Sequence, residues 1–183
     1  MKSTHPSQAL QFCPFCGSKN FIWDNVKSHT CLQCGNKLYV NAAGATIALI
    51  YNAEQELLFT TRKHQPAKGT LDLPGGFIDI GETAEQCVKR EVKEELNLEV
   101  RECSYYISLP NTYEYKGLTY FTIDMVFVCK VDDFSSLKAG DDAADCRFLP
   151  VAKVPLSDLG LNSVRTLVHR LQISSPDQLD NKL

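Results

Sequence analysis

Residues 90–95 (REVKEE) contain glutamates whose type and spacing suit a cation site. On an α-helix, which turns about 100° per residue, Glu91 and Glu95 lie about 40° apart, with Glu94 on their flank. Apolar residues of the same segment surround Glu91 and Glu95, so both carboxylates face the body of the protein. A carboxylate in that position is unfavourable unless a cation meets it. Because hard divalent cations take oxygen ligands, we predict that this face holds such an ion.

The flanking residues predict where this helix begins and ends. Thr83 and Gln86 fit a capping box, in which each side chain accepts a hydrogen bond from the backbone N–H of the other residue. Asn97 tolerates the left-handed conformation that commonly ends a helix. Ahead of the helix, Gly75-Gly76 permits a tight backbone path and exposes carbonyl oxygens that could also reach a metal. An ordinary charged surface helix is the alternative, and the loop, the cap and the phase of the glutamates disfavour it.

Two Cys-x-x-Cys-Gly motifs near the N-terminus predict a second metal site. They contain four of the eight cysteines, Cys13, Cys16, Cys31 and Cys34. This pattern is typical of a tetrathiolate zinc site, and four thiolates leave no open coordination position for catalysis. We therefore expect a structural zinc rather than two disulfides, and we do not expect His29 to be a ligand.

The residues between and after these motifs predict a small ribbon. Phe21-Ile22-Trp23 is expected to form a strand of a short hairpin, with its turn at Asp24-Asn25. We expect Phe15, Trp23 and Tyr39 to fill the core of the ribbon. The remaining cysteines are expected to be small core residues: Cys87, Cys103, Cys129 and Cys146.

Beyond the ribbon, alternating strand and helix signals predict an α/β fold. Strands are expected at residues 45–51, 57–62, 100–109, 120–131 and 145–149. The first two should pair as a hairpin, and Pro110-Asn111 should break the third. A second helix is expected at 164–171, and the polar segment from Ser174 is expected to fray. This order fits an α/β/α sandwich around a mixed sheet.

Composition narrows the class of protein. The chain has 183 residues, 44% of them hydrophobic, which suffices for one sizeable core and a small appendage. Its net charge of −3 gives no overall attraction to nucleic acid or to a membrane. No apolar run approaches membrane-spanning length, and the N-terminus lacks the apolar core of a signal peptide. We expect a soluble, cytoplasmic enzyme.

The glycine loop and the helix together resemble the Nudix box, GX5EX7REUXEEXGU. The resemblance extends over residues 76–98 and holds at every specified position except Asn97, where the family has glycine. It implies a Nudix α/β/α sandwich with a mixed sheet, here preceded by a small four-cysteine zinc ribbon. It also implies a pyrophosphohydrolase that cleaves a nucleoside diphosphate linked to another moiety.

The resemblance further implies which residues hold the catalytic cations. Glu91 and Glu95 would bind magnesium or manganese together with the carbonyl oxygen of Gly75. Glu94 would bind a further metal ion or orient the attacking water. Such cations would offset the repulsion between this acidic site and a diphosphate, and would lower the pKa of a bound water.

The resemblance also implies a pairing of Arg90 with Glu82 that holds the loop against the helix. The general base is left open between the glutamates of the box and an acid on a later loop. Asp142 is our first choice on that loop, ahead of Asp141 and Asp145. A solvated acidic turn is the alternative for these aspartates.

Candidate substrate contacts lie on two other segments. Arg62 and Lys63 end a predicted strand just before the glycine loop and could neutralise a phosphate. Tyr113, Tyr115 and Tyr120 lie near a predicted hairpin tip and could stack on a base. The alternatives are exposed cations at a strand end and aromatic rings that pack the turn.

The substrate is predicted from two partial resemblances. A zinc ribbon before the box resembles the NADH pyrophosphatase and RNA-deNADding branch, which has a larger N-terminal domain and an SQPWPFPxS-like stretch. Residues 108–113 (SLPNTY) replace that stretch here. The run 71–77 (LDLPGGF) is more similar to ADP-ribose pyrophosphatase-like proteins. We therefore favour an ADP-ribose-like substrate, with NAD(H) or NAD-capped RNA as the alternative.

A nucleotide-sensing module with a zinc-ribbon interaction domain is the alternative of another class, and the retained glutamates disfavour it. We expect the tail and ribbon at residues 1–40, the Nudix domain at 41–174 and a polar tail at 175–183. The expected partner is a small-molecule nucleotide, with no membrane and no nucleic acid except a capped RNA as substrate. A homodimer is left open.

Overall fold

The computed structural model describes residues 3–140 and 142–173, which fall into two compact units. The first unit combines the N-terminal segment up to Ala42 with Thr112–Phe121. The second combines Ala43–Asn111 with the segment from Thr122 onward. The tail predicted at 175–183 lies outside the described residues. No helix within the described ranges is long and apolar enough to cross a membrane.

The first unit contains a three-stranded antiparallel sheet, which confirms the predicted hairpin and adds a strand to it. After a short helix α1 (Pro6–Ala9), the strands are β1 (Phe21–Trp23), β2 (Ser28–Cys31) and β3 (Lys37–Tyr39), in the order β1-β2-β3. The turn between β1 and β2 is held by Asp24, whose Oδ1 accepts hydrogen bonds from the backbone N–H groups of residues 26–28.

The core of the ribbon differs from the prediction. Phe15 and Tyr39 are 57% and 54% exposed, so neither fills it. The buried residues are Cys13, Phe21 and Cys31, with Leu10 and Leu38 packed against them. The ring of His29 stacks on that of Phe21, with centroids 4.4 Å apart, and the half-buried Trp23 ring meets it edge-on at 4.9 Å. A sheet this small buries its residues around the four cysteines, so aromatic residues on the outer face stay in solvent.

The second unit contains strands of two three-stranded sheets. One sheet has the order β4-β8-β7, with strands β4 (Ala43–Leu49), β7 (Glu102–Tyr115) and β8 (Leu118–Lys130). In it β4 and β8 are parallel, while β7 and β8 are consecutive strands joined by a two-residue turn, so the sheet is mixed. The other sheet is antiparallel and has the order β6-β5-β9, with β5 (Leu57–Arg62), β6 (Leu71–Asp72) and β9 (Ala143–Leu149).

The predicted hairpin between β4 and β5 is wrong over most of its length. The two strands belong to different sheets and meet only near the loop, at the bridge between Tyr51 and Leu57 and the hydrogen bond from Leu58 N–H to Ile50 O. Each strand finds a longer partner elsewhere, β4 in β8 and β5 in β9. Proximity in sequence therefore predicted the wrong neighbour.

The predicted break at Pro110 is also wrong, because β7 continues to Tyr115. Strand β7 is at the edge of its sheet. Proline is tolerated in an edge strand where its missing N–H would have faced solvent, because no hydrogen bond to the neighbouring strand is then lost. Pro110 is exposed, as this position requires. The hairpin then turns at Lys116-Gly117, both with positive φ (47° and 81°), as in a type I′ turn.

Helices cover the two faces of the strands, which confirms the predicted sandwich. Alternate residues of β4 belong to different cores, with Ile47 and Leu49 in one and Ala48 in the other, and Ile50, just after the strand, joins Ala48. The first core includes Val164, Leu167, Val168 and Leu171 of helix α3 (Asn162–Ile173). The second includes Val88, Val92 and Leu96 of helix α2 (Ala84–Leu96). Strand β5 follows the same alternation, with Phe59 in the first core and Leu58 in the second.

Candidate active site and thiolate metal centre

Helix α2 begins and ends where the sequence predicts. Thr83 Oγ1 accepts from the backbone N–H of Gln86 at 3.2 Å, and Gln86 Oε1 accepts from the backbone N–H of Thr83 at 2.9 Å, which completes the capping box. Asn97 ends the helix in the left-handed conformation, with φ 56° and ψ 28°. The departure from the Nudix consensus at Asn97 therefore preserves the backbone that glycine usually provides.

The glycine loop lies against β4 and the inner face of α2. Thr46 N–H donates to Gly76 O at 2.9 Å, and Ala48 N–H donates to Pro74 O at 2.8 Å. Gly75 has a φ of 148°, and a Cβ there would collide with Thr46 O. At Gly76, a Cβ would collide with the carboxylate of Glu91. A side chain at Gly75 would therefore displace the loop from β4, and one at Gly76 would displace the Glu91 carboxylate.

Glu95 is a nearly buried carboxylate without a cationic partner in the described part of the chain. It is 8% exposed, and its Oε2 accepts a hydrogen bond from Gly75 N–H at 3.2 Å. Burial raises the pKa of Glu95 to about 8, and the negative charges of Glu91, Asp72 and Asp142 add to this rise. In this environment the ionised form needs a positive charge beside it.

Arg90 binds the other acids of the box. Its Nε and Nη2 donate to the two carboxylate oxygens of Glu82, each at 2.9 Å, which is the predicted pairing of loop and helix. Its Nη1 donates to Glu91 at 2.7 Å and to Glu94 at 3.1 Å, while Nη2 also donates to Phe77 O. The hydrogen bonds from Arg90 lower the pKa of Glu82 to about 2, and they raise the pKa of Arg90 itself.

The three glutamates differ in exposure. The Glu94 side chain is 47% exposed and that of Glu91 is 14% exposed. Among the described residues, only the four cysteines hold three or more ligand atoms within 4.8 Å of one another. The glutamates are not gathered to that extent, because Arg90 holds Glu91 and Glu94 while Glu95 turns to Gly75.

The candidate general base Asp142 lies on an exposed loop. Its backbone carbonyl accepts from Lys63 N–H at 2.9 Å, and its carboxylate is 3.6 Å from Nε2 of His64. It is near enough to Glu95 for its charge to raise the pKa of that residue. Asp145 is exposed on β9, and Asp141 lies outside the described residues.

Two buried acids near this site were not predicted from the sequence. Asp72 is 7% exposed and receives a hydrogen bond from Arg62 Nη1 at 2.6 Å, and burial raises its pKa. Asp124 is 5% exposed and accepts from Thr122 Oγ1 at 2.6 Å. A signal existed for both, since each acid is flanked on either side by an apolar residue, but a single polar residue there does not reveal its partner.

The predicted substrate residues lie in different places. Arg62 is tied to Asp72 and to Pro66 O, and Lys63 is exposed beside it. The three tyrosines are in the first unit, whereas the glutamates and the glycine loop are in the second. There the rings of Tyr113 and Tyr120 stack on each other with centroids 5.7 Å apart, and Lys116 Nζ lies over the ring of Tyr115. These contacts pack the turn, and the role of the three tyrosines in substrate binding stays a prediction.

The four cysteines of the ribbon form a second site that could hold a metal ion. Cys13 Sγ is 3.8 Å from Cys34 Sγ, and Cys16 Sγ is 3.6 Å from Cys31 Sγ. A tetrahedral zinc with Zn–S bonds of about 2.3 Å requires sulfur separations of about 3.8 Å. No S–S bond joins any two of the eight cysteines in the structure, and the four sulfurs of the ribbon lie within 4.8 Å of one another.

The backbone around the cysteines is shaped for this site. Gly17 and Gly35 have φ near 75° and donate their N–H groups to Cys13 O and Cys31 O. Hydrogen bonding from the backbone N–H of Asn36 lowers the pKa of Cys34 to about 6, whereas burial and the neighbouring thiols raise the pKa of Cys16 to about 12. Crowded thiols without a cation cannot all ionise, so a metal would be needed to hold four thiolates together. His29 is buried with its Nε2 near Pro6 O at 3.2 Å, outside the cysteine cluster.

The model of the NUDIX domain family matches residues 41–171, and the chain therefore belongs to this family. The match covers the glycine loop, helix α2 and all strands of the second unit. A solved NUDIX hydrolase from Nitrosomonas europaea has a similar fold, with a TM-score of 0.65 at 21% identity, covering 88% of this chain and 90% of its own.

Two relatives are similar to this chain in sequence. The NAD-capped RNA hydrolase NudC of Vibrio atlanticus (strain LGP32) is 30% identical over 151 residues, which is 82% of this chain and 53% of that protein. The ADP-ribose pyrophosphatase of Methanocaldococcus jannaschii is 36% identical over 121 residues, 65% of this chain and 68% of that protein. The chain thus spans about half the length of the NudC relatives it matches.

Proposed function

We propose that this protein hydrolyses a nucleoside diphosphate linked to another moiety, in a reaction that depends on divalent cations. The observation that carries the proposal is Glu95. Its carboxylate is nearly buried, three further acids raise its pKa, and it has no cationic partner among the described residues. Such a group requires a cation in order to ionise at neutral pH, and a diphosphate brings cations with it.

The residues present fit magnesium or manganese. Glu91, Glu94, Glu95 and the Gly75 carbonyl are an all-oxygen donor set, as both ions prefer. When bound, such ions polarise a phosphoryl oxygen and make water a better nucleophile near neutral pH. The absence of a side chain at Gly76 leaves room for the Glu91 carboxylate, since a Cβ there would collide with it.

The chain's own residues supply orientation and proton transfer. Arg90 fixes the glycine loop through Glu82 and Phe77 O, and restrains Glu91 and Glu94 at the same time. Two residues are our candidates for the general base. Glu94 is half exposed, and Asp142 lies on the loop that is hydrogen-bonded to the Lys63 backbone. Arg62 and Lys63 would help to neutralise the substrate's phosphates, and Tyr113, Tyr115 and Tyr120 stay candidates for base stacking.

We propose an ADP-ribose-like substrate, with NAD(H) or NAD-capped RNA as the second candidate. The first is supported by the 36% identity to an ADP-ribose pyrophosphatase, which the match covers to 68%. The second is supported by the 30% identity to NudC, with the match covering 53% of that protein. Residues 108–113 form part of strand β7 and do not match the SQPWPFPxS-like stretch of the NADH pyrophosphatase branch. This difference favours the ADP-ribose-like substrate.

We propose that the metal at the four cysteines is zinc and that it stabilises the ribbon rather than takes part in catalysis. The donor set of four thiolates and their spacing support this identity. Residues 1–40 as ribbon and 41–174 as catalytic domain remain our proposed division. A cytoplasmic location is supported by the eight free thiols.

A hydrolysis screen tests the substrate. Purified protein with magnesium or manganese would be given ADP-ribose, NADH, a dinucleoside polyphosphate, a nucleotide sugar and NAD-capped RNA, and the products would be separated chromatographically. We expect ADP-ribose to yield a nucleoside monophosphate and a second phosphorylated product. A kcat/KM for NADH or NAD-capped RNA far above that for ADP-ribose would favour the second candidate. Hydrolysis of none of them would contradict the proposal.

A further inference from the structure

A cavity of about 490 Å³ lies within the first unit, and none of the residues that line it belongs to the Nudix box. Its walls include His5, Trp23, Lys27, Asn41 and Phe121. The volume is in the range of small-molecule sites. None of these residues is a ligand of the cysteine site, and none has a part in the function proposed above.

Three aromatic rings form a corner of this cavity. The ring of His5 lies 5.6 Å from that of Trp23 at an interplanar angle of 89°. It also lies 5.6 Å from the ring of Phe121, at 70°. All three side chains are half-buried, so part of each ring is accessible. A flat aromatic ligand can lie on one of these rings with its edge against another.

The position of His5 is set by the backbone. Ser7 N–H donates to His5 Nδ1 at 3.1 Å, so Nδ1 is an acceptor and the ring proton of the neutral imidazole is on Nε2. The same bond caps helix α1 and holds the ring in place. The cavity is therefore lined by a fixed ring that retains one N–H donor.

The polar side chains of the cavity supply a cation and several hydrogen-bond donors, and no carboxylate. Lys27 has no carboxylate within ion-pair distance in the described ranges, and no acidic residue is among those that line the cavity. Neither the indole N–H of Trp23 nor the amide of Asn41 has a hydrogen-bond partner within the described part of the chain. In a chain with a net charge of −3, the side chains that line this cavity thus include a lysine and no acid.

We propose that this cavity binds a nucleoside monophosphate, with the base on the aromatic corner and the phosphate at the Lys27 ammonium. Stacking on aromatic side chains and a cation for the phosphate are the usual means by which proteins hold nucleotides. The choice of a nucleotide over another aromatic anion rests on the proposed function, because the proposed hydrolysis releases a nucleoside monophosphate. The cavity would then be a second nucleotide site, separate from the box.

Tryptophan fluorescence tests this directly, because Trp23 is the only tryptophan of the chain and lines the cavity. AMP would be titrated into the full chain without added magnesium or manganese, with excitation at the red edge of indole absorption. We expect saturable quenching by AMP, and weaker effects from adenosine alone and from inorganic phosphate alone. The chain is used without chelator, so that a metal at the cysteines is retained.

Two variants and a matched control make the test specific. Lys27→Ala and Phe121→Leu should each weaken AMP binding about tenfold, corresponding to about 1.4 kcal/mol. Lys37→Ala should leave it unchanged, because the Lys37 ammonium lies over the ring of Tyr39 and does not line the cavity. No quenching up to millimolar AMP, or equal affinity in all four proteins, would overturn the inference. Calorimetry with Lys27→Ala covers the case in which Phe121→Leu does not fold.

Turnover is measured separately on the same proteins. AMP binding that is weakened in Lys27→Ala, without hydrolysis of any diphosphate by the native chain, would contradict only the proposed function. Hydrolysis without AMP quenching would contradict only the second nucleotide site.

Discussion

The backbone N–H of Gly75 donates to Oε2 of Glu95 at 3.2 Å, which joins the glycine loop to the inner face of helix α2 at a nearly buried carboxylate. A single backbone N–H is weak compensation for burying a charge. Burial, with the charges of nearby acids, raises the pKa of Glu95 to about 8, which favours its protonated form at neutral pH when no cation is bound. We infer that the site is built around a cation rather than around its own hydrogen bonds.

This pKa predicts how the stability of the metal-free protein depends on pH. Between the ordinary pKa of glutamate, about 4.3, and the folded value of about 8, the folded state keeps a proton on Glu95 that the unfolded state has lost. The contribution of Glu95 to the free energy of unfolding therefore falls as pH rises through this window, by at most about 1.4 kcal/mol per pH unit. It levels off above about pH 8.

This slope is measured by urea unfolding at several pH values, with the helical circular dichroism signal, which comes mainly from α2 and α3, as the readout. Glu95→Gln should flatten it, while Glu99→Gln, at an exposed residue, should not. Saturating magnesium should also flatten it, because ion binding requires the carboxylate. An identical pH slope in Glu95→Gln and the native chain would contradict the assignment.

Gly75→Ala should destabilise the second unit by about 2 kcal/mol or more. Its φ of 148° disfavours a side chain, and a Cβ would also collide with Thr46 O. Gly81→Ala is the matched control, because Gly81 also has a positive φ, 86°, but open space around its Cβ. The thermal midpoint should fall clearly further for Gly75→Ala, and equal losses would show that the collision is unimportant.

Asp72→Ala should cost about 3 kcal/mol in the free energy of unfolding, because it leaves the half-buried Arg62 guanidinium unpaired. Asp132→Ala removes an exposed partner of Arg101 and should cost less than about 1 kcal/mol. Denaturant midpoints of both variants measure the difference. A loss below about 1 kcal/mol for Asp72→Ala would mean that water compensates Arg62.

Zinc at the ribbon is checked by metal analysis. We expect the purified native protein to contain about one zinc per chain. In Cys31→Ser we expect the zinc to be lost and residues 12–40 to unfold. Ser157→Ala, at an exposed residue, should retain the metal. Protein that contains no zinc yet keeps its ribbon folded would contradict this prediction.

The features predicted best from the sequence are those specified by adjacent residues. The capping box at Thr83, the left-handed Asn97 and the four-cysteine cluster depend on short spacings, and the structure confirms them. Strand partners were predicted worse, because β4 pairs with β8, about eighty residues further along the chain. Asp72 and Asp124 escaped prediction for the same reason, since burial is decided by what packs against a strand. The site roles of the glutamates remain predictions.

Glu95→Gln tests the central claim most directly. The amide keeps the shape of the side chain and still accepts the hydrogen bond from Gly75 N–H, so the fold should persist. Hydrolysis in magnesium should fall by at least about a hundredfold, because loss of even an outer-shell partner of a metal costs about 10–100-fold. Glu99→Gln, whose partner is Lys93 on the surface, should retain native turnover. Near-native turnover by Glu95→Gln would contradict a cation site at this carboxylate.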